Sequence, residues 1–377
     1  LAVRLAQACG SAPLRARGKG ESERIPNRRS IATAASRDSR EDLSTFIQAY
    51  GQVVPRQVFL RMLESVIGLA LTTIFLSTAT ILEEWERTGR IPSVDEQKIV
   101  PLFVDCGSGQ DRELRRQAEA SFTGCSRRYE RLPALIMLAR VLEEWATYDR
   151  VVRDTLPPRF PDARARMELL GDILHDRHSR SGKAVEDLDE NCSRLADALR
   201  AGDGDTEVVE RLMGGTDHPA ARLADALCTL MGYRQQERHY SEALDGCLLI
   251  DRPNGLAVSR RVARKGSAAR GASVLRSFVL THSLLDFLVH RHLRKAARGK
   301  RWNTLSLRSF LGVLQRRHGL FIDQDPPDMS IPRELLLRNK IFLERRLRDL
   351  GLLRGVNDAE SMKQLTPRYG RVGHDEF

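Results

Sequence analysis

The sequence lacks any arrangement of cysteine and histidine residues that would hold zinc. Its six cysteines lie far apart, no CxxC pair occurs, and no histidine pair has zinc-finger spacing. A metal site needs a full ligand set, so we predict no metal and no other cofactor. The first forty residues contain no apolar segment of the secretory kind. Scattered thiols without such a signal are typical of a reducing compartment, and we expect a cytoplasmic protein.

Aromatic residues are also scarce, at 6% of the chain. This argues against the stacking platforms on which single-stranded nucleic acids bind. No segment repeats at a fixed period, and strands do not alternate with helices, which disfavours solenoids and doubly wound sheets. The remaining apolar pattern has mostly helical spacing. The sequence therefore predicts a mainly α fold with a multi-helix N-terminal and central bundle.

Acidic residues are nearly missing from Arg260–Arg317. This stretch holds fifteen cations against one acid, Asp286, so its net charge is +14. The first forty residues hold nine cations and three acids, a net +6, which leaves −9 for the remainder of a chain whose total is +11. Positive charge segregated in this way indicates a polyanionic partner, and we expect double-stranded DNA.

Composition shifts and glycine- or proline-rich breaks divide the chain into five predicted regions. They are a disordered basic tail (1–40), a helical domain with one short strand (41–157), a helical middle region (158–258), a basic helical region (259–304) and a C-terminal domain (305–377). The basic region includes one amphipathic helix predicted over Ala272–Arg294. The acidic N-terminal helical domain is expected to contact protein partners.

The longest uncharged run lies between Glu64 and Glu83, in a helix predicted from Pro55 to Arg87. Its 18 residues stand at the lower limit for a membrane span. Four polar residues fall on one face of that helix: Thr73, Ser77, Thr80 and Glu84. A buried bundle helix explains such a stripe better than lipid does, so no membrane span is expected.

A strand predicted over Val100–Asp105 is followed by the turn Cys106–Gly109 and a helix from Asp111. This order resembles the first motif of S-adenosylmethionine-binding methyltransferases, with Asp105, Gly107 and Gly109 in matching places. Asp111 stands where that family often has a third glycine, and no parallel-sheet pattern follows. Since isolated motif matches are weak, we predict a plain turn between a strand and a helix.

One pair of residues raises the possibility of ribonuclease chemistry. Arg234 and His239 have the R-x4-H spacing of HEPN ribonucleases, whose arginine and histidine act together on an RNA phosphodiester. They are the candidate catalytic residues of an alternative, enzymatic function. Arg276 and His282 fit a looser form of the motif. The position of His282 on the predicted apolar helix face favours a core histidine instead.

His175-Asp176 resembles the metal-binding pair of HD phosphohydrolases, which also use an earlier histidine. No histidine precedes His175 in this chain. A metal site needs its full ligand set, so we predict an ordinary helix end here.

The C-terminal region has a distinctive order of elements. Two helices are predicted over Ser330–Asn339 and Lys340–Leu350, followed by a strand at Gly351–Arg354, a polar loop at Gly355–Glu360 and a return segment at Lys363–Gly370. In the second helix Ile341, Leu343 and Leu347 would face inward. This order resembles winged-helix DNA-binding domains over about 40 residues, or about 70 if Leu305–Arg317 supplies the first helix.

The resemblance implies which cations would meet DNA. Lys340, Arg345, Arg346 and Arg348 would face the major groove or its phosphates, and the wing would carry three more, Arg354, Lys363 and Arg368. The basic stretch adds further predicted contacts: Arg291, Arg294, Lys295, Arg298, Lys300, Arg301, Arg316 and Arg317. Winged helices also mediate protein contacts, so a docking domain is the alternative.

Leu76–Phe122 resembles uncharacterised proteins of bacterial anti-phage defence islands encoded beside DNA methyltransferases. Together with the charge pattern, this predicts a non-enzymatic DNA-binding accessory or regulatory component of such a system. The alternatives are a HEPN-like helical ribonuclease and a protein-interaction scaffold subunit.

Overall fold

The structure is a computed structural model. It describes residues 30–157, 163–202, 205–215, 217–262, 273–294, 305–354 and 363–369, with the backbone of 15–16 and 24–25. Most of these residues are helical and the strands are short, which confirms the predicted mainly α class.

The first part of the chain is almost entirely helical. Its elements are β1 (Arg15–Ala16), β2 (Arg24–Ile25), α1 (Thr33–Tyr50), α2 (Arg56–Thr88), β3 (Leu102–Phe103), α3 (Arg112–Glu130), α4 (Leu132–Tyr148), α5 (Arg150–Thr155), α6 (Arg164–Leu174), α7 (Ser181–Ala201), α8 (Thr206–Met213), α9 (Pro219–Leu230) and α10 (Tyr233–Leu248). The second part mixes helices with strands. Its elements are β4 (Ala257–Val262), β5 (Ser273–Phe278), α11 (His282–His292), β6 (Leu305–Ser306), α12 (Leu307–His318), β7 (Leu320–Phe321), α13 (Arg333–Asp349), β8 (Leu353–Arg354) and β9 (Gln364–Leu365).

Helix α2 is the central helix of the fold. It begins after Pro55 and ends at Gly89, whose left-handed backbone closes the last turn. The predicted helix Pro55–Arg87 is thus confirmed. By length and composition α2 could cross a membrane, but more than half of its apolar stretch is buried inside the fold. Packing against α1, α10 and α11 accounts for that apolarity.

Helix α1 begins within the region predicted to be a disordered tail. Residues 33–40 are helical, and Ala35 is buried against the core. The same helix carries Phe46 and Tyr50, both fully buried, so its tertiary packing offsets the polar composition of its first turns. The prediction of disorder is therefore wrong for residues 33–40.

The strands form short pairings between distant parts of the chain. β3 pairs in parallel with β7, and Asp105 just beyond it forms a bridge with Val279. β4 and β5 form an antiparallel pair, and β6, β9 and β8 form a three-stranded sheet in that order. The predicted strand at Val100–Asp105 is confirmed, although its regular part is limited to β3.

The prediction of one helix over Ala272–Arg294 is wrong in its first half. Ser273–Phe278 is strand β5, paired over six residues with β4, and the helix α11 begins only at His282. The apolar spacing of Leu275 and Phe278 fits a helix, but the ladder with β4 satisfies the backbone polar groups of this segment instead.

The two helices predicted at Ser330–Asn339 and Lys340–Leu350 are one continuous helix, α13. The polar residues Arg338–Lys340 suggested a turn, yet neither glycine nor proline interrupts the segment, and α-helical hydrogen bonding continues through it. The predicted first helix, the strand at Gly351–Arg354 and the return segment correspond to α12, β8 and β9. The winged-helix resemblance itself stays a prediction.

A single hydrophobic cluster runs through most of the fold. Its members come from four of the five regions predicted from the sequence, and examples are Phe46, Leu244, Phe287 and Leu343. The C-terminal elements are therefore packed into the same core as the N-terminal helices.

Candidate nucleic-acid interface

Helix α13 is fixed to the rest of the fold by one buried side chain, Asn339. Its Nδ2 donates to the carbonyl oxygens of Val104 (2.9 Å) and Ile322 (3.0 Å), and its Oδ1 accepts from the N–H of Cys106 (2.8 Å). Asn339 is fully buried. The amide satisfies three backbone groups beside β3 and β7 and so sets which face of α13 points outward.

The outward face of α13 mixes apolar and basic side chains. Leu337 and Ile341 are 57% and 55% exposed, and Arg345 and Arg348 follow them at helical spacing on the same face. Ile341 was predicted to face inward. It faces outward because the continuous helix takes its phase from the buried Asn339 and Leu343.

Two arginines of the basic stretch, Arg291 and Arg317, lie against α1. Nε of Arg291 is 2.7 Å from Oδ1 of Asp42, an ion contact without hydrogen-bond geometry, and both side chains are 5% exposed. Nη2 of Arg317 is 2.8 Å from the same Asp42 oxygen and 2.9 Å from Oε2 of Glu41. Their charges are compensated inside the chain, which corrects the expectation that they face a nucleic acid.

The hydrogen bonds of Arg317 also shift its protonation equilibrium. Burial alone would lower the pKa of this guanidinium, but its bonds to Asp42 and Glu41 outweigh that effect and raise the pKa. In return Glu41, whose pKa burial would raise, has its pKa lowered by Arg317. Glu41 and Arg317 therefore both keep their charges at neutral pH.

Lys363, predicted to flank the wing, is also compensated within the chain. Its Nζ lies 2.9 Å from Oε2 of Glu344 on α13, and both side chains are about one-tenth exposed. The expectation that Lys363 reaches DNA is corrected, because this ion pair holds β9 against α13. Arg348 is half-exposed and stands 3.7 Å from the same carboxylate.

Other cations of the basic stretch and its neighbours pair with acids from the first 250 residues. The bonds join Arg260 with Glu119, Arg276 with Asp245, and Arg338 with Asp111 and Glu113. Arg368, closer to the C-terminus, pairs with Asp286. Charges that are segregated along the sequence are thus partly brought together by the fold.

Arg346 is turned towards the fold and not outward as predicted. Its Nη1 donates to the carbonyl oxygen of Cys106 (3.1 Å) and to Oγ of Ser108 (3.2 Å). Burial lowers the pKa of this guanidinium. Arg294 is half-buried, with its guanidinium 5.9 Å from the centroid of the Tyr50 ring, and Lys340 is half-buried on α13.

Three predicted contact residues are exposed and have no carboxylate partner among the described residues: Arg316 on α12, Arg345 on α13 and Arg354 on β8. Arg345 and Arg354 belong to the C-terminal elements that resemble a winged helix. Four further predicted contacts, Lys295, Arg298, Lys300 and Arg301, lie outside the described residues.

The candidate ribonuclease pair lies on α10. Arg234 and His239 are both exposed, and the nearest acid to His239 is Glu242, with Nδ1 4.0 Å from Oε2. Five residues along an α-helix correspond to a rotation of about 140°, so the two side chains leave the helix in different directions. Arg276 bonds with Asp245, and His282 is exposed at the start of α11, which corrects its assignment to the core.

The turn after β3 is closed by its own residues. The Asp105 carboxylate accepts hydrogen bonds from the N–H groups of Gly107 and Gly109, both at 2.7 Å. Burial raises the pKa of Asp105. Among the described residues β3 belongs to a two-stranded sheet with β7, and the turn joins this short strand to helix α3, as predicted.

His175 follows the C-terminal end of α6, with Nε2 2.9 Å from the carbonyl oxygen of Glu86. No group of three or more potential metal ligands occurs in the part of the chain that the structure describes. The arrangement is that of an ordinary helix end.

Comparisons with known proteins identify a family for the chain. No curated protein matches the chain, and no solved structure does. Residues 13–369 match a family described as methylation-associated defense system protein MAD7. This agrees with the resemblance of Leu76–Phe122 to defence-island proteins, and the match extends through the helical core and the C-terminal elements. The chain therefore belongs to the MAD7 family of methylation-associated defense system proteins.

Proposed function

We propose that the protein is a non-catalytic subunit of its defence system that binds double-stranded DNA through the outward face of α13 and the adjoining strand β8. The observation that carries the proposal is the exposure of Arg345 and Arg354, which have no carboxylate partner among the described residues. Neighbouring cations such as Lys363 are paired and buried. Arg345 and Arg354 lie on the two elements whose order in the sequence resembles a DNA-reading helix and wing.

The surroundings of these arginines support a duplex as the partner. Leu337 and Ile341 are exposed on the same helix, and apolar side chains of a groove-reading helix contact thymine methyl groups. The sequence adds four cations within residues 295–301 and three within residues 264–270. Phosphate contacts supply most of the affinity of such an interface, and the helix supplies any sequence preference.

The experiment is a salt titration of DNA binding by the full chain, followed by fluorescence anisotropy of a labelled duplex. Each lost phosphate contact lowers the slope of log affinity against log salt by about 0.9. The double variant Arg345→Ala/Arg354→Ala is therefore expected to lose about 1.8 of that slope and to bind more weakly at low salt.

The matched control is Arg153→Ala/Arg200→Ala, which removes two half-exposed arginines from α5 and α7. Its slope should equal that of the wild type. A wild-type affinity that does not change with salt, or equal slopes for the two double variants, would contradict the proposal.

A further inference from the structure

A cleft of about 550 Å³ opens beside the proposed DNA-binding helix. One wall is the turn Cys106–Gln110, the second is the C-terminal half of α13, and the third is formed by Pro253, Val258, Val279, Thr281 and His282. Its volume lies in the range of sites for small organic ligands, which is roughly 300–1,000 Å³.

Arg346 contributes a guanidinium to this cleft that forms no ion pair among the described residues. It is half-buried and bonds only to neutral oxygens, those of Cys106 and Ser108, and no carboxylate among the described residues forms an ion pair with it. A charge removed from water is costly unless it is paired. Arg291 and Arg317, which are also withdrawn from solvent, are compensated by Asp42 and Glu41. Asp105 acts on Arg346 through space without forming an ion pair. Among the described residues only Nη1 of Arg346 is hydrogen-bonded, so its other N–H groups can bind an anion in the cleft.

The polar lining of the cleft fits an anionic group. Arg345 supplies a second guanidinium, and Ser108, Gln110 and His282 supply neutral hydrogen-bonding groups. One acid, Asp349, also lines the cleft, so the charges of the side chains that line it sum to +1. Adjacent guanidinium groups bind phosphate oxygens in a fixed geometry.

The apolar lining of the cleft fits a flat ring. Phe342 presents its ring beside Gly107, where an added Cβ would lie 3.4 Å from a ring carbon, so glycine at this position keeps the ring accessible from the turn. Val258 and Val279 complete the apolar wall. Aromatic faces bind nucleobases by stacking, with about 1–3 kcal/mol per base.

We propose that this cleft binds a nucleotide, with its phosphate between Arg345 and Arg346 and its base against Phe342 and Val258. The inference rests on the proposed function for the location of the cleft beside bound DNA, and it adds a ligand class that duplex binding does not need. The nucleotide is either free in solution or an unpaired nucleotide of the bound DNA, and these two sources are separated by experiment.

The first arm measures binding of free ATP, GTP and dAMP to the full chain by isothermal titration calorimetry. The second arm compares a paired duplex with a duplex that carries one unpaired adenine, by fluorescence anisotropy. We expect binding in the first arm, or at least tenfold tighter binding of the unpaired-adenine duplex in the second. Failure of both arms would overturn the inference, whether or not the paired duplex binds.

Two variants test whether nucleotide binding takes place in the cleft. Arg346→Gln removes the charge while an amide can still donate to Cys106, and Val258→Trp fills the cleft from another element. Each should weaken nucleotide binding at least tenfold, with an unchanged melting temperature as the check on folding. Unchanged nucleotide affinity in both folded variants would also overturn the inference.

The measurements also distinguish failure of the proposed duplex binding from failure of the proposed nucleotide binding. If it alone fails, the paired duplex does not bind while free nucleotide still does. If the cleft inference alone fails, the paired duplex binds with the predicted salt slope while neither nucleotide source shows an effect. The variant Arg354→Ala, outside the cleft, should reduce duplex affinity and leave free-nucleotide affinity at the wild-type value.

Discussion

Asp42 and Arg291 form a buried ion contact, 2.7 Å between Oδ1 and Nε, that connects the first helix of the fold to α11. The same Asp42 oxygen lies 2.8 Å from Nη2 of Arg317 on α12. One carboxylate thus compensates two arginines that come from a stretch with almost no acids of its own. Part of the positive charge of the stretch Arg260–Arg317 is therefore neutralised by an acid of the first helix.

Removal of the Asp42 charge is expected to destabilise the fold strongly. Asp42→Asn would leave Arg291 buried with a weaker contact to Glu41 alone, 3.5 Å away. Breaking one partner of a buried pair costs about 3–5 kcal/mol, measured as the free energy of unfolding in urea. The control Asp197→Asn removes an exposed carboxylate that is paired with Arg200. It should change the free energy of unfolding by less than about 1 kcal/mol. Equal unfolding midpoints for the two variants would contradict this prediction.

The buried pair of Lys363 and Glu344 is expected to show strong coupling. Lys363→Met leaves the Glu344 carboxylate nearly buried, with a 3.7 Å contact to Arg348 among the described residues, and should cost about 3–5 kcal/mol. The double variant Lys363→Met/Glu344→Leu replaces the pair by apolar groups and should recover most of that loss. A double-mutant cycle of urea unfolding gives the coupling free energy, and additive losses would refute the prediction.

Asn339 is expected to be essential for the attachment of α13. Asn339→Leu removes three hydrogen bonds and leaves the N–H of Cys106 and the carbonyl oxygens of Val104 and Ile322 unpaired in the interior. Each unsatisfied group costs about 1–3 kcal/mol, so the melting temperature should fall by well over 5 °C. Gln324→Leu, an exposed amide, serves as the control, and a similar melting temperature for both variants would count against this attachment.

Stability is expected to decrease as the pH falls from about 6.5 towards 4. Burial lowers the pKa of His290 to about 4 and that of His318 to about 3. In this window the unfolded chain binds more protons than the native one at these sites, so each histidine costs up to about 1.4 kcal/mol per pH unit on acidification. Nε2 of His290 accepts from the N–H groups of Arg368 and Tyr369, which it cannot do when protonated.

The test is the melting temperature of wild type, His290→Gln and the exposed-site control His239→Gln between pH 7 and pH 4.5. His290→Gln should be less stable at pH 7 and should lose less further stability on acidification. His239→Gln should follow the wild-type curve. A pH dependence of His290→Gln identical to that of wild type would show that this imidazole does not titrate on unfolding.

Much of the helical framework was predictable from local signals. Pro55 and Pro133 stand at helix starts, and apolar spacing after each marks a buried face, so α2 and α4 lie where the sequence indicates them. The segment of β5 was misassigned because its apolar spacing fits a helix, and only pairing with β4 decides between the two.

The candidate site was less predictable because charge compensation depends on tertiary contacts. Nothing near Arg291 or Arg317 in the sequence indicates that Asp42, 275 positions before Arg317, would meet them. Likewise the polar character of Asn339 suggested a helix end, whereas its amide lies in the interior and bonds to two other segments. Sequence patterns located the C-terminal helix and its exposed Arg345, but not the cleft formed with the turn after β3.

The parallel pairing of β3 with β7 has a consequence for any attempt to express the C-terminal elements alone. Leu102 stands opposite Leu320, and the N–H groups of Leu102 and Val104 bond to carbonyl oxygens of Gly319 and Phe321. A fragment starting at residue 305 would present β7 as an open strand edge and would lose two of the three partners of Asn339, Val104 and Cys106. We expect such a truncated protein to aggregate. Experiments that search for binding partners of the C-terminal elements should therefore use the whole chain.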